Sequence, residues 1–221
     1  MAALEEGYEL IADFVSQDQL NAINSEIDRA SFPARAGGIR NAEKKFAAIR
    51  DIANSATLIG QAKKYLPGTA GLVRAILFNK SLENNWLVPW HQDRTVAVTK
   101  TFERYGWGPW SIKDTVHHVQ PPVAVLNQMI TFRIHLDDAN QENGCLKVLP
   151  KSHQLGILDA RAIQVYAQSH DAVVCEAPAG AALAMRPHIL HSSSKAVIAS
   201  QRRVLHLEYS SYTLPPGVSW A

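Results

Sequence analysis

Trp90-His91-Gln92-Asp93 is a place in this 221-residue chain where neighbouring side chains can share one ion. On a strand, residues i and i+2 point to the same face, so His91 and Asp93 can converge. An imidazole with a carboxylate suits a divalent iron that keeps coordination positions open. By itself the triplet is weak, because a surface pair at a strand end reads the same way. A site of two histidines and one carboxylate needs a further histidine from an element distant in sequence. The segment 185–194, MRPHILHSSS, offers His188 and His191. Three residues apart on a strand, they face opposite ways, and only one can enter a site. Beyond His191 comes Arg202, opening an alternating strand. Its planar fork suits the distal carboxylate of a five-carbon keto diacid whose other end chelates the metal. Arg203 is its rival on the opposite face, and a one-residue change of register would exchange them.

Other polar residues need weighing. Asn79 and Lys80 fall on the strand preceding His91 and are candidates for contact with the same diacid. Arg133 and His135 share one strand face, so Arg133 can present a cation to the cavity, either to the diacid or to an acidic substrate. His117-His118 reads as a polar surface or substrate contact, because adjacent loop residues rarely chelate together. His153 and His206 read as structural, and Asp137-Asp138 as a loop-forming pair. Trp86, Trp90, Trp107 and Trp110 either pack ordinarily or wall a pocket that excludes water from a reactive centre.

These residues must be carried by a frame. Residues 8–14 read as a short strand. Ser16 is a good N-cap for a helix to about Ala30, with Leu20, Ile23 and Ile27 at helical spacing. Residues 31–38 read as a loop. A second helix runs from Ser55 to Tyr65 and stops at Pro67-Gly68. Strands are expected at 71–78, 86–91, the end of 123–136, 146–149, 172–176, 181–185 and 203–209, with a polar turn at 137–144. Residues 101–122, punctuated by Trp, Gly and Pro, read as a functional loop or lid. The pattern predicts a mainly β fold with flanking helices, a double-sheet jelly roll. Its helical part covers about 1–70 and its core about 71–212, within a single domain.

Composition sets bounds. The chain is 47% hydrophobic and carries 22 basic against 20 acidic residues, so it can bury a core and shows no footprint for nucleic acid. Cys145 and Cys175 are too few for a disulfide scaffold and lack zinc spacing. The opening MAALEEGYEL has no basic and apolar leader pattern, and no apolar run reaches spanning length. A cytoplasmic protein acting on a small molecule, without nucleic-acid or membrane partners, is the expectation.

WHQD, RIHLDDANQENGCLKVLPKSH and HSSSKAVIASQRRVLHLEY together resemble the phytanoyl-CoA dioxygenase family, in the family's order and over most of the chain. The resemblance implies a double-stranded β-helix (cupin-like jelly roll) and a dioxygenase using Fe(II), 2-oxoglutarate and O2. It implies hydroxylation of a small metabolite with release of succinate and CO2. By position it makes His91, Asp93 and His191 the metal ligands and Arg202 the partner of the distal carboxylate. Ser193 falls where the family often has a hydroxyl sharing that carboxylate. An intact Asp93 argues against halogenation, since related halogenases lack the carboxylate. Two departures stand out: Lys151 replaces a common turn glycine, and Arg133 replaces a common tryptophan. A metal-binding jelly roll without oxygenase activity, or a zinc hydrolase on the same three ligands, are the competing readings.

Overall fold

Ser16 opens the first helix because its side chain and that of Gln19 satisfy each other's backbone N–H. Gln19 N donates to Ser16 Oγ at 3.2 Å, and Ser16 N donates to Gln19 Oε1 at 2.9 Å. The computed structural model describes residues 4–30, 38–81, 83–198 and 200–221. Most of the loop expected at 31–38 lies outside them.

In chain order, β1 (Tyr8–Ile11) precedes α1 (Gln17–Arg29), β2 (Ile39–Arg40), α2 (Ala42–Lys45), α3 (Ala47–Ala53) and α4 (Ala56–Tyr65). Then come β3 (Gly71–Lys80), β4 (Val88–His91), β5 (Val96–Val98), β6 (Trp110–Lys113) and β7 (Val116–Val119). A short α5 (Val123–Leu126) leads into β8 (Met129–His135) and β9 (Leu146–Val148). The chain continues with α6 (Ala160–Ser169), β10 (Val173–Cys175), β11 (Ala182–Met185), β12 (His191–Ser193) and β13 (Arg202–Ser210).

The strands form a jelly roll. A major sheet has the order β1-β11-β8-β13-β3-β2 and faces a minor sheet ordered β10-β9-β12-β4. One face of the major sheet is apolar and carries Leu77, Phe132, Ile134, Leu205 and Leu207. It packs on Leu20, Ile23 and Ile27 of α1 and on Ile49 and Leu58 of the next helices. Alternation sends the intervening residues inward. There Leu183 and Met185 meet Leu146 and Val148 of the minor sheet. The same inward face also buries Arg74, Lys80, Arg133, His135, Arg202, His206 and Glu208. Buried charge on this scale is costly unless paired, so this face holds the site.

Residues 101–122 differ from the expectation of a loop or lid. Their second half forms the β6–β7 hairpin, which joins β5 in a three-stranded sheet. Trp107 and Trp110 pack there with Phe102 and Trp220 against Val96, Val98 and Val119. His118 is buried in the hairpin, and burial pushes its imidazole down to about 4.

Lys151 occupies the left-handed region at φ 64°, where the family's glycine would be unstrained, and its ammonium meets Glu6 at 3.1 Å. A side chain there costs about 1–2 kcal/mol. The exposed ion pair returns less than that. Lys151→Gly is therefore expected to raise the melting temperature by roughly 2–4 °C, read by thermal unfolding.

Candidate metal centre and cavity

The minor sheet brings the distant histidine to the HxD motif through one cross-strand pair, since His191 lies opposite His91. Asp93 follows β4 and is held by its N–H to Pro187 O at 3.0 Å. Gln92 turns the other way and clamps the segment. Its amide donates to Gly156 O (2.7 Å) and His188 O (2.8 Å), and its oxygen accepts from Leu158 N (2.9 Å). A lone Gln between His91 and Asp93 gives no sequence signal of this role.

His91 Nε2 stands 3.8 Å from Asp93 Oδ1, and His191 Nε2 stands 3.6 Å from Asp93 Oδ2. His91 Nδ1 lies 2.9 Å from Pro89 O, and His191 Nδ1 lies 2.9 Å from Ile189 O. A carbonyl only accepts, so both Nδ1 atoms carry the proton and both Nε2 lone pairs face the carboxylate. Backbone carbonyls commonly fix the tautomer of metal-binding histidines in this way. Burial pushes the His191 imidazole down to about 3, keeping that lone pair free. Burial alone would raise the Asp93 carboxyl, but His191, His206, His91 and Arg74 outweigh it and hold the group below its usual range. Two nitrogen lone pairs and a carboxylate within 4.8 Å of one another fit a divalent cation.

Asp93 also approaches His206 Nε2 at 3.9 Å, but that histidine is committed elsewhere. Arg133 donates to His206 Nδ1 at 3.0 Å, and since arginine only donates, Nε2 carries the proton and gives it to Glu208 Oε1 at 3.0 Å. Arg74 completes the chain at 2.7 Å from Glu208. The sequence offered one signal for this relay: His206 and Glu208 alternate with Leu205 and Leu207 on one strand, so the polar pair shares a face. The expectation that His206 is structural fits this arrangement.

A cavity of about 330 Å³ opens beside His91, Asp93 and His191. Phe78, Trp86, Leu87, Val88, Pro89 and Leu146 give it an apolar wall, and Arg133, Ser193 and Arg202 supply the remaining polar lining. Trp90 turns away toward α6, so of the four tryptophans Trp86 alone reaches this cavity among the described residues.

Register puts Arg202 and Arg203 on opposite faces of β13. Arg203 faces outward and pairs with Asp137 at 2.8 Å and Asp28 at 2.6 Å. Arg202 lines the cavity, with its Nε donating to Asn143 O at 3.2 Å. The same rule moves Asn79 away from the site. It lies opposite Arg203, while Lys80 lies opposite Arg202 on the inner face. Asn79, expected to contact the diacid, therefore faces away from the cavity, and it is Lys80 that shares the inner face.

Lys80 Nζ reaches Ser193 Oγ at 2.8 Å and Ser194 O at 2.7 Å. Ser193 gives its own proton to Gly144 O at 2.7 Å, so its hydroxyl positions Lys80. Gly144 has φ 73°, and a Cβ there would collide with Ser194 O, which accounts for a glycine in this turn. Burial, Arg202 and Arg133 push the Lys80 amine down to about 8. Cys145 and Cys175 are free and buried, with thiols pushed up to about 11 and about 12, chiefly by burial.

The chain is 29% identical over 186 residues to L-proline trans-4-hydroxylase of Streptomyces griseoviridis, an alignment covering 72% of this chain and 62% of that protein. The chain thus spans less than two thirds of the length of this curated relative. AviO1 from Streptomyces viridochromogenes Tue57 superimposes with a TM-score of 0.70 at 21% identity, covering 98% of this chain and 99% of AviO1. The epimerase SnoN, in complex with Fe3+, alpha ketoglutarate and nogalamycin RO, gives a TM-score of 0.73 at 15% identity, covering 98% and 82%. These structural likenesses establish the fold. No helix among the described residues is long and apolar enough to cross a membrane. The phytanoyl-CoA dioxygenase profile matches residues 4–204, and the chain belongs to that family.

Proposed function

We propose that this chain is a non-haem Fe(II)- and 2-oxoglutarate-dependent dioxygenase that hydroxylates a small molecule and releases succinate and CO2. The observation that carries the reading is the pair of histidine lone pairs fixed toward Asp93 beside a cavity that also holds Arg202. His91, Asp93 and His191 would hold the metal on one face. Iron with the keto acid bound supplies the activation of dioxygen, coupled to decarboxylation of the keto acid. Arg202 grips the distal carboxylate, and Lys80, held behind Ser193, adds a second positive charge. Phe78, Trp86 and Pro89 keep water from the reacting centre. Among the described residues Asp93 is the sole acid in the lining, which leaves no second carboxylate to act as general base for a zinc hydrolase.

The test is succinate formation from 2-oxoglutarate by protein loaded with Fe(II) in air, against the same protein loaded with Zn(II). Succinate with iron and none with zinc is expected. Equal output from the two metals, or none from either, would overturn the proposal.

A pH dependence follows from Lys80. A bound carboxylate favours its charged form, so 2-oxoglutarate binding draws in a proton where the free amine has lost it. Affinity should be full below about pH 8 and fall by up to about tenfold per pH unit above it. In the free protein the sign is opposite. Folding lowers this amine from 10.5, so its cost to stability is present below about pH 8 and is relieved as the pH rises toward 10.5. Calorimetric titration with 2-oxoglutarate between pH 7 and pH 9.5 checks the binding limb; a flat affinity would remove Lys80 from this role.

A further inference from the structure

Arg133 is anchored at a different level of the cavity from Arg202. It lies opposite His206 on β13 and contacts that ring at Nδ1, while the ring's other nitrogen, Nε2, stands 3.9 Å from Asp93. Arg202 is four residues earlier on that strand, opposite Lys80, roughly 13 Å away along the sheet. The roots of the two arginines therefore mark the metal end and the far end of the site. The Arg133 guanidinium is held by His206 Nδ1 at 3.0 Å and lies 5.4 Å from the Phe78 ring centre. Its Nε is closed off by the surrounding side chains, while Nη2 has no hydrogen-bond partner among the described residues and the guanidinium lines the cavity. A guanidinium positioned on one edge and unsatisfied on another is a fork prepared for an anion.

Charge points the same way. Iron(II), Lys80, Arg133 and Arg202 are set against Asp93 and the two carboxylates of 2-oxoglutarate, and the Arg74–Glu208 pair cancels itself. A surplus of positive charge remains with metal and co-substrate in place. Lys80 can shed its proton, but Arg133 cannot. An uncompensated buried charge is costly, and the remaining group to enter the cavity is the substrate.

We propose that Arg133 receives a carboxylate of the substrate, so that the substrate is a small organic acid whose apolar body lies against Trp86, Leu87 and Pro89. This rests on the oxygenase reading above. Arg133 then fixes the reacting carbon relative to the metal, and the His206–Glu208–Arg74 chain fixes Arg133.

The experiment uses the anaerobic Fe(II)·2-oxoglutarate complex, followed by its visible charge-transfer band. Small carboxylic acids, including L-proline, other amino acids and cyclic and aryl acids, are added, each beside its primary amide. At least one acid should perturb the band, and its amide should need roughly 30-fold more or have no effect. Arg133→Gln should lose that response while binding 2-oxoglutarate within about threefold of the unaltered protein. The acid–amide comparison needs no variant, so it stands even if Arg133→Gln fails to fold. Amides as effective as acids, no response to any acid, or a tenfold or greater loss of 2-oxoglutarate affinity in Arg133→Gln would overturn the proposal. Absence of the band before any acid is added would instead remove the oxygenase reading itself.

Discussion

Asp93→Ala is expected to lower Fe(II)-dependent succinate formation by about 1000-fold or more, because the metal's contribution is worth several kcal/mol. Asp93 is the one carboxylate of the proposed triad, and both histidine lone pairs are oriented toward it by Pro89 O and Ile189 O. Removing it leaves two neutral donors, which hold iron(II) more weakly and leave its charge uncompensated beside Arg74 and Arg133. Bound iron after desalting should fall with turnover. Asp93→Asn keeps the shape and removes only the charge, so it should show most of the same loss. Turnover within tenfold of the unaltered protein in either variant would mean that Asp93 is not a ligand.

Arg202→Ala is expected to raise the 2-oxoglutarate concentration needed for half-maximal turnover by roughly 30-fold or more, the cost of truncating one partner of a buried charge pair. At saturating co-substrate much of the maximal rate should return, because His91, Asp93 and His191 are untouched. Arg202→Lys should fall between, since it keeps the charge and loses the fork. Arg203→Ala is the internal control. It breaks the pairs with Asp137 and Asp28 on the outer face, so it should lower the melting temperature and leave the 2-oxoglutarate requirement alone. If Arg203→Ala raised that requirement and Arg202→Ala did not, the assignment would be reversed.

The parts of the fold that were legible in the sequence are those governed by local rules. Ser16 and Ser55 both cap helices where expected, and each accepts a backbone N–H at 3.2 Å. The β6–β7 hairpin was not legible. Its turn residues, Asp114 and Thr115, hold φ values of 49° and 65°, which glycine or asparagine usually supplies. With neither present, and with Trp and Pro nearby, the segment reads as irregular. Helix α6 was not expected, although its signal is present in the sequence: Asp159 caps it by accepting the Ala162 N–H at 2.8 Å, and its apolar residues recur at helical spacing.

At the site, the positions of His91, Asp93 and His191 follow from period-2 spacing and family order. What spacing cannot supply is register between strands. That is why Asn79 and Lys80 were indistinguishable, and why the pairing of Arg133 with His206 had to come from β8 lying beside β13. Gln92 and Glu208 act through backbone carbonyls and buried ion pairs, which are tertiary contacts without a local motif.

The His91–Asp93–His191 centre is expected to hold iron and 2-oxoglutarate together. The most direct test is an anaerobic titration of Fe(II) and then 2-oxoglutarate into the metal-free protein, followed in the visible spectrum. A weak charge-transfer band that appears only with both components, saturates at one equivalent of each and is lost in Asp93→Ala is the predicted result. Tight, stoichiometric metal binding with no band on adding 2-oxoglutarate would contradict the account.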